Sequence, residues 1–126
     1  MITLKDILQY EDYIIKMRRD FHRHPEPGFQ EFRTSKVIKQ ELESFGFEII
    51  ENVGVTGLIG ILKGNKDGKT IALRADIDAL TMQEENESEY KSEIDGMMHS
   101  CGHDTHTAML LGACKYFSEH IDEVNG

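Results

Sequence analysis

The sequence is short of positive charge, short of cysteine and without a long apolar run. Lys and Arg number 14 against 23 Asp and Glu, for a net charge of -9. Nucleic-acid binding draws on a basic stripe that displaces phosphate counterions, and no Lys/Arg cluster here dominates its surroundings, so no nucleic-acid partner is expected. No stretch approaches the roughly 18 apolar residues of a membrane span. The first residues carry Lys5, Asp6, Glu11 and Asp12 where a secretory leader is uninterruptedly apolar. A cytoplasmic protein without a membrane partner is expected. The two cysteines, Cys101 and Cys114, could pair, but in an intracellular chain two cysteines are more often free, buried or metal-bound. Cys114 lies in an apolar helical run and is expected to be buried.

What is present fits one globular unit. The 126 residues are 39% hydrophobic and 29% charged, the balance of a folded domain with a single core. Thr3-Leu4-Lys5-Asp6 has the form of a capping box, and Ile7, Tyr10, Ile14, Met17 and Phe21 follow at spacings of three and four. One amphipathic helix is predicted there, ending near His24 because the residue before Pro25 is pushed out of the helical region. A second helix is predicted from Gln30 to Phe45, with Val37, Ile38, Leu42 and Phe45 on one face and Gly46 as its left-handed stop.

Beyond Gly46 the pattern turns to β-type runs at Phe47 to Val53, Leu58 to Lys63 and Thr70 to Ala75. The polar, glycine-bounded loop Gly64 to Gly68 has hairpin length and predicts an antiparallel pairing of the second and third strands. Ile71-Ala72-Leu73 suits a central strand covered on both faces. Thr81 to Asp95, rich in Glu84, Glu85, Glu87, Glu89 and Glu93, reads as an irregular acidic surface connection. Thr107 to Phe117 is apolar almost all round and predicts a helix packed against the sheet. The order helix, helix, strands, helix predicts an α/β layered domain, a mixed sheet flanked by helices.

Coordinating side chains are densest in His99-Ser100-Cys101-Gly102-His103-Asp104-Thr105-His106. Cys101 and His103, one residue apart, can face one point if Gly102 allows the backbone to bend. A thiolate with an imidazole suits Zn²⁺ and other late divalent metals, whereas Mg²⁺ or Ca²⁺ would call for oxygen ligands. A helix opening after the turn, with Asp104 or Thr105 as N-cap, would place its positive end near the site and favour the Cys101 thiolate. His99 and His106 could orient ligands or contact substrate. His22, His24 and His120 are expected to be surface or satisfied core residues. A second candidate is Arg74-Ala75-Asp76-Ile77-Asp78, whose charged groups alternate onto one face. Asp76 there could orient a ligand or a metal-bound group, or form a structural pair with Arg74.

Met17-Arg18-Arg19-Asp20-Phe21-His22-Arg23-His24-Pro25-Glu26, Ala72-Leu73-Arg74-Ala75-Asp76-Ile77-Asp78-Ala79-Leu80 and Met98-His99-Ser100-Cys101-Gly102-His103-Asp104, in that order, resemble the N-terminal part of the M20 metallopeptidase family. More narrowly they resemble its amidohydrolase branch, with its hippurate hydrolases, N-acyl-amino-acid deacylases, N-acetyldiaminopimelate deacetylases and auxin-conjugate hydrolases. The resemblance implies that residues 1–126 are the N-terminal part of a zinc-peptidase-like catalytic domain, without the family's inserted dimerisation domain. It implies a two-metal site loaded with Mn²⁺ or Zn²⁺, Cys101 and His103 as metal ligands, and a supporting catalytic role for Asp76. It also implies a small N-acyl amino acid or peptide-like substrate and a possible oligomer in the longer protein.

Two departures from the family pattern stand out. Thr81 occupies a position where the family has proline, and the sequence ends at Gly126, short of the family's Glu-Glu pair; Arg74, where other branches have a histidine ligand, is usual for the branch resembled. The Glu-Glu pair carrying the general base lies further along the family's pattern, and Glu84-Glu85 is no substitute because it precedes Cys101-Gly102-His103. The expectation is that these 126 residues alone are inactive, part of a hydrolase rather than a complete one. Apolar surface around Ala108 to Phe117 is then expected to stand uncovered. The alternatives are a non-catalytic metal-binding or interaction module, or a truncated remnant.

Overall fold

A computed structural model describes residues 3–126. Its elements are α1 (Leu4–Leu8), α2 (Glu11–Arg23), α3 (Phe32–Ser44), β1 (Glu48–Val53), β2 (Gly57–Ile61), α4 (His103–Glu119) and a 3₁₀ turn at Ile121–Glu123. The class is α/β, as expected.

The first predicted helix is two. The chain breaks at Tyr10, whose ring is buried edge-on against Tyr116 and whose hydroxyl donates to Glu119 at 2.6 Å. Burial and that carboxylate push the Tyr10 phenol up to about 12. α1 buries no residue, so no packing energy holds it in line with α2. From α2 onward the 3.6-residue pattern holds: Met17 and Phe21 are buried, and the helix stops at His24 before Pro25.

α3 opens at Phe32, two residues later than predicted, because its first turn is capped from a distance. The Glu26 carboxylate accepts from the Arg33 amide at 2.9 Å and from the Thr34 amide at 2.7 Å. It closes as expected, with Gly46 at φ 84°.

Met17, Phe21, Ile38, Leu42, Ala108 and Leu111 form the core. The hairpin packs on α3, α3 on α4, and α4 on α2. α2 and α4 approach so closely at Gly112 that a Cβ there would lie 2.6 Å from Ile14 Cδ1. Cys114 is half-buried rather than fully so, and burial raises its thiol to about 11.

The strand expectations need correction. β1 and β2 form an antiparallel pair in which Glu48 faces Ile61 and Val53 faces Gly57. The hairpin thus turns through residues 54–56 and not through Gly64 to Gly68. The latter loop is tied to the chain's end instead: Gly64 N donates to Gly126 O at 2.7 Å and Asn65 Nδ2 to Asp122 Oδ1 at 2.7 Å. Thr70 to Ala75 pairs with no strand among the described residues, and Ile71 and Leu73 are 82% and 58% exposed. A strand needs an edge to receive its amides and carbonyls, and neither outer edge of the β1–β2 pair receives this segment. Among the described residues, parallel pairing is confined to the single bridges Pro27 to Ala79 and Lys66 to Asn125. The uncovered apolar surface is therefore larger at Ile71 and Leu73 than along α4, where Met109 and Phe117 are exposed but Ala108, Leu111 and Tyr116 are buried. No described helix is long and apolar enough to cross a membrane.

Candidate metal centre

α4 begins at His103, so the coordinating motif is the helix's entrance. The N-cap is Gly102, not Asp104 or Thr105. Its carbonyl accepts from the amides of both Thr105 and His106 at 3.0 Å. Gly102 has φ 101°, a left-handed conformation that glycine adopts without a Cβ penalty, which is the bend anticipated between Cys101 and His103. Cys101 is left exposed with a free thiol.

Two contacts bring the Asp76 segment to this turn. Leu80 and Met98 exchange amide-to-carbonyl hydrogen bonds of 3.0 Å, and Thr107 Oγ1 donates to Asp76 O at 3.0 Å. His103 Nδ1 then lies 3.0 Å from Asp78 O and 2.9 Å from Asp78 Oδ1. A carbonyl oxygen only accepts, so Nδ1 carries the proton and Nε2 of the neutral ring keeps its lone pair. That lone pair is on the nitrogen 3.9 Å from Asp76 Oδ2. Asp78, rather than Asp76, orients the imidazole. Asp76 faces it across a gap while also pairing with the exposed Arg74, so both sequence readings of Asp76 describe part of what it does.

The rest of the motif points inward. Asp104 is 1% exposed; its Oδ2 accepts from Arg18 Nε at 3.0 Å and from His22 Nδ1 at 2.7 Å. His22 Nε2 reaches Glu84 Oε1 at 3.1 Å. His22 is thus the satisfied core residue of the two outcomes expected, 3% exposed with a carboxylate facing each ring nitrogen. Glu84, read from sequence as part of a solvated acidic face, is 3% exposed. Burial alone would raise its carboxyl, but the Ser92 amide, donating at 2.7 Å, and His22 outweigh that and hold it below the usual range. A charged carboxylate tolerates burial only with such donors.

His24 and His120 are satisfied locally, each with Nδ1 on a carbonyl four residues back. His106 is exposed, with its ring 5.9 Å from that of His103. His99 is buried and neither ring nitrogen has a partner; burial lowers its pKa, against the pull of Asp104. Among the described residues, three of the four buried polar side-chain atoms without a partner are His99 Nδ1, His99 Nε2 and Asp104 Oδ1. Such groups are rare in folded proteins.

Sequence spacing singled out Cys101, His103 and Asp76 as candidates. Asp78 was visible in the same alternation. Glu84 was not, since its partner His22 is 62 residues away.

Comparison with known proteins shows what the chain is similar to. Residues 72–126 match the model of peptidase family M20/M25/M40. The chain is 46% identical to thermostable carboxypeptidase 2 of Saccharolobus solfataricus over 122 residues, 96% of this chain and 31% of that protein. Over residues 72–126 the chain is similar to the M20/M25/M40 peptidase family. Another relative, the hippurate hydrolase of Campylobacter jejuni, is 44% identical over 94% of the chain and 31% of its own length. The crystal structure of Bacillus subtilis YXEP, described as a dinuclear metal-binding M20 peptidase, superposes with a TM-score of 0.87 at 44% identity, covering 94% of this chain and 33% of that one. The chain spans about 31% of the length of these curated relatives.

The donor chemistry fits a divalent metal in part. An exposed thiol and an imidazole with a free Nε2 are suitable ligands, but among the described residues no three His, Cys, Asp or Glu side chains converge on one point.

Proposed function

We propose that residues 1–126 form the N-terminal part of an M20-type catalytic domain, contributing Cys101 and His103 to the metal centre of an amidohydrolase that cleaves N-acyl or aminoacyl amide bonds. The observation that carries this reading is the commitment of His103 Nδ1 to Asp78, which leaves Nε2 uncommitted two residues after the exposed Cys101 thiol. When bound, a divalent ion lowers the pKa of water and polarises an amide carbonyl. The chain's own residues hold and orient. Cys101 would supply sulfur at the positive end of α4, His103 would supply nitrogen in a fixed tautomer, and Asp76 lies where it can accept a hydrogen bond from a group at the site.

Thiolate chemistry favours Zn²⁺, and Mn²⁺ is the second candidate. The substrate class follows from relatives named for hippurate and for N-acyl-L-amino acids, a small molecule rather than a nucleic acid or a membrane. The acidic balance and the free cysteines support a cytoplasmic site of action.

Titrating the 126-residue chain with Zn²⁺ and Mn²⁺ tests the ligand assignment. Cys101→Ala and His103→Ala should each weaken binding by at least about tenfold; affinity unchanged in both overturns it. With two donors and no general base in the described site, hydrolysis of N-acetyl or hippuryl amino acids by this chain should not exceed that of the metal alone, and robust turnover would contradict the half-site reading.

A further inference from the structure

The acidic connection is strapped along α2. Arg23 O accepts from the Glu93 amide at 2.9 Å, and Arg23 Nη2 donates to Glu89 O at 3.3 Å. Tyr90 receives the Arg18 and Arg19 guanidinium groups, each 4.9 Å from its ring centroid, and its ring stands edge-on to His22 at 5.7 Å. Glu84 closes the series on His22 Nε2. On its other side His22 holds Asp104, the residue after His103 and part of the first turn of α4. The Cys101-Gly102-His103 bend is also held by Asp78, by the Gly102 carbonyl, by Arg18 on Asp104 and by Thr107 on Asp76 O.

We propose that His22 is a positioning residue for the Cys101–His103 turn, transmitting the docking of the 84–93 strap through Asp104 to the entrance of α4. This rests on the metal-centre reading above. The route is specific to one ring atom: Nδ1 carries the hold on the turn, whereas Nε2 carries the hold on the strap.

Two substitutions divide those atoms. An asparagine amide nitrogen stands close to the place of Nδ1, and a glutamine amide nitrogen close to that of Nε2. His22→Asn therefore keeps the donor to Asp104, and His22→Gln keeps the donor to Glu84. In the metal-free 126-residue chain, amide hydrogen exchange at residues 102–106 should stay near wild type in His22→Asn and rise about tenfold in His22→Gln. The pattern at residues 84–93 should be the reverse. Zn²⁺ affinity should follow the turn, falling about tenfold only in His22→Gln, the scale seen when an outer partner of a ligand is lost. Equal effects of the two substitutions, or exchange rising uniformly through the core, would overturn the proposal and leave His22 a structural residue.

If neither variant folds, Glu84→Gln decides: exchange should rise at 84–93 and, less, at 102–106, and no change at 102–106 refutes the transmission. Exchange is read without metal. Failure of Zn²⁺ to bind the wild-type chain would therefore refute the metal centre separately from the positioning.

Discussion

The two ends of one helical turn are built in opposite ways. On the buried side, His22 and Asp104 lie closed to water between Glu84 and the partly exposed Arg18, and Asp104 Oδ2 has two donors. On the open side, one residue earlier, His103 has one ring nitrogen committed and one free, and Cys101 is exposed with no partner. The contrast teaches how a metal-ligand turn is made. The ligands stay unsaturated so that they can bind, and the rigidity they need comes from the cluster behind them, in which Asp104 Oδ2 and His22 each have two partners.

Removing Asp104 should expose the contrast most strongly. Asp104→Ala leaves the buried His22 and the partly exposed Arg18 without their shared carboxylate and should cost about 3 kcal/mol in urea denaturation. A loss near zero would mean that the buried side is no more integral than the open one. Next comes the contact on which the buried side is mounted. Gly112→Val inserts side-chain atoms where a Cβ already lies 2.6 Å from Ile14, and overpacking of this kind should cost about 1–3 kcal/mol by thermal or urea unfolding.

A smaller, pH-dependent effect belongs to Glu84. Its folded-state pKa is below the ordinary 4.5, so the stability it contributes is complete above that value and is lost as pH falls through the folded-state pKa. The slope of stability against pH below about 4.5 should flatten in Glu84→Gln, and an identical slope would remove Glu84 from the account. The smallest effect should come from the open side. Cys101→Ala should change the stability of the metal-free chain by no more than about 0.5 kcal/mol, as for a surface position. A larger loss would show that the thiol has a buried partner.

Much of this was legible in the residues because it was local. The 3.6-residue spacing of Ile14, Met17 and Phe21 marked α2, and Gly102 between Cys101 and His103 marked the bend. What was not legible depended on distant groups. Tyr10 broke the first helix because Tyr116 and Glu119, over a hundred residues later, receive its ring and hydroxyl. Glu26 set the start of α3 from outside it. Thr70 to Ala75 has a strand's composition, yet composition cannot supply a neighbouring edge. Glu84 looked like one more solvated acid because nothing near it in sequence announces His22. The motif itself was clear, while the cluster behind it needed three dimensions.

The most direct test of the central claim is X-ray absorption at the zinc edge of the Zn²⁺-loaded 126-residue chain. The account predicts one sulfur at about 2.3 Å and imidazole nitrogen at about 2.0 Å, with the sulfur scattering gone in Cys101→Ala. A shell of nitrogen and oxygen alone in the wild-type chain would contradict it.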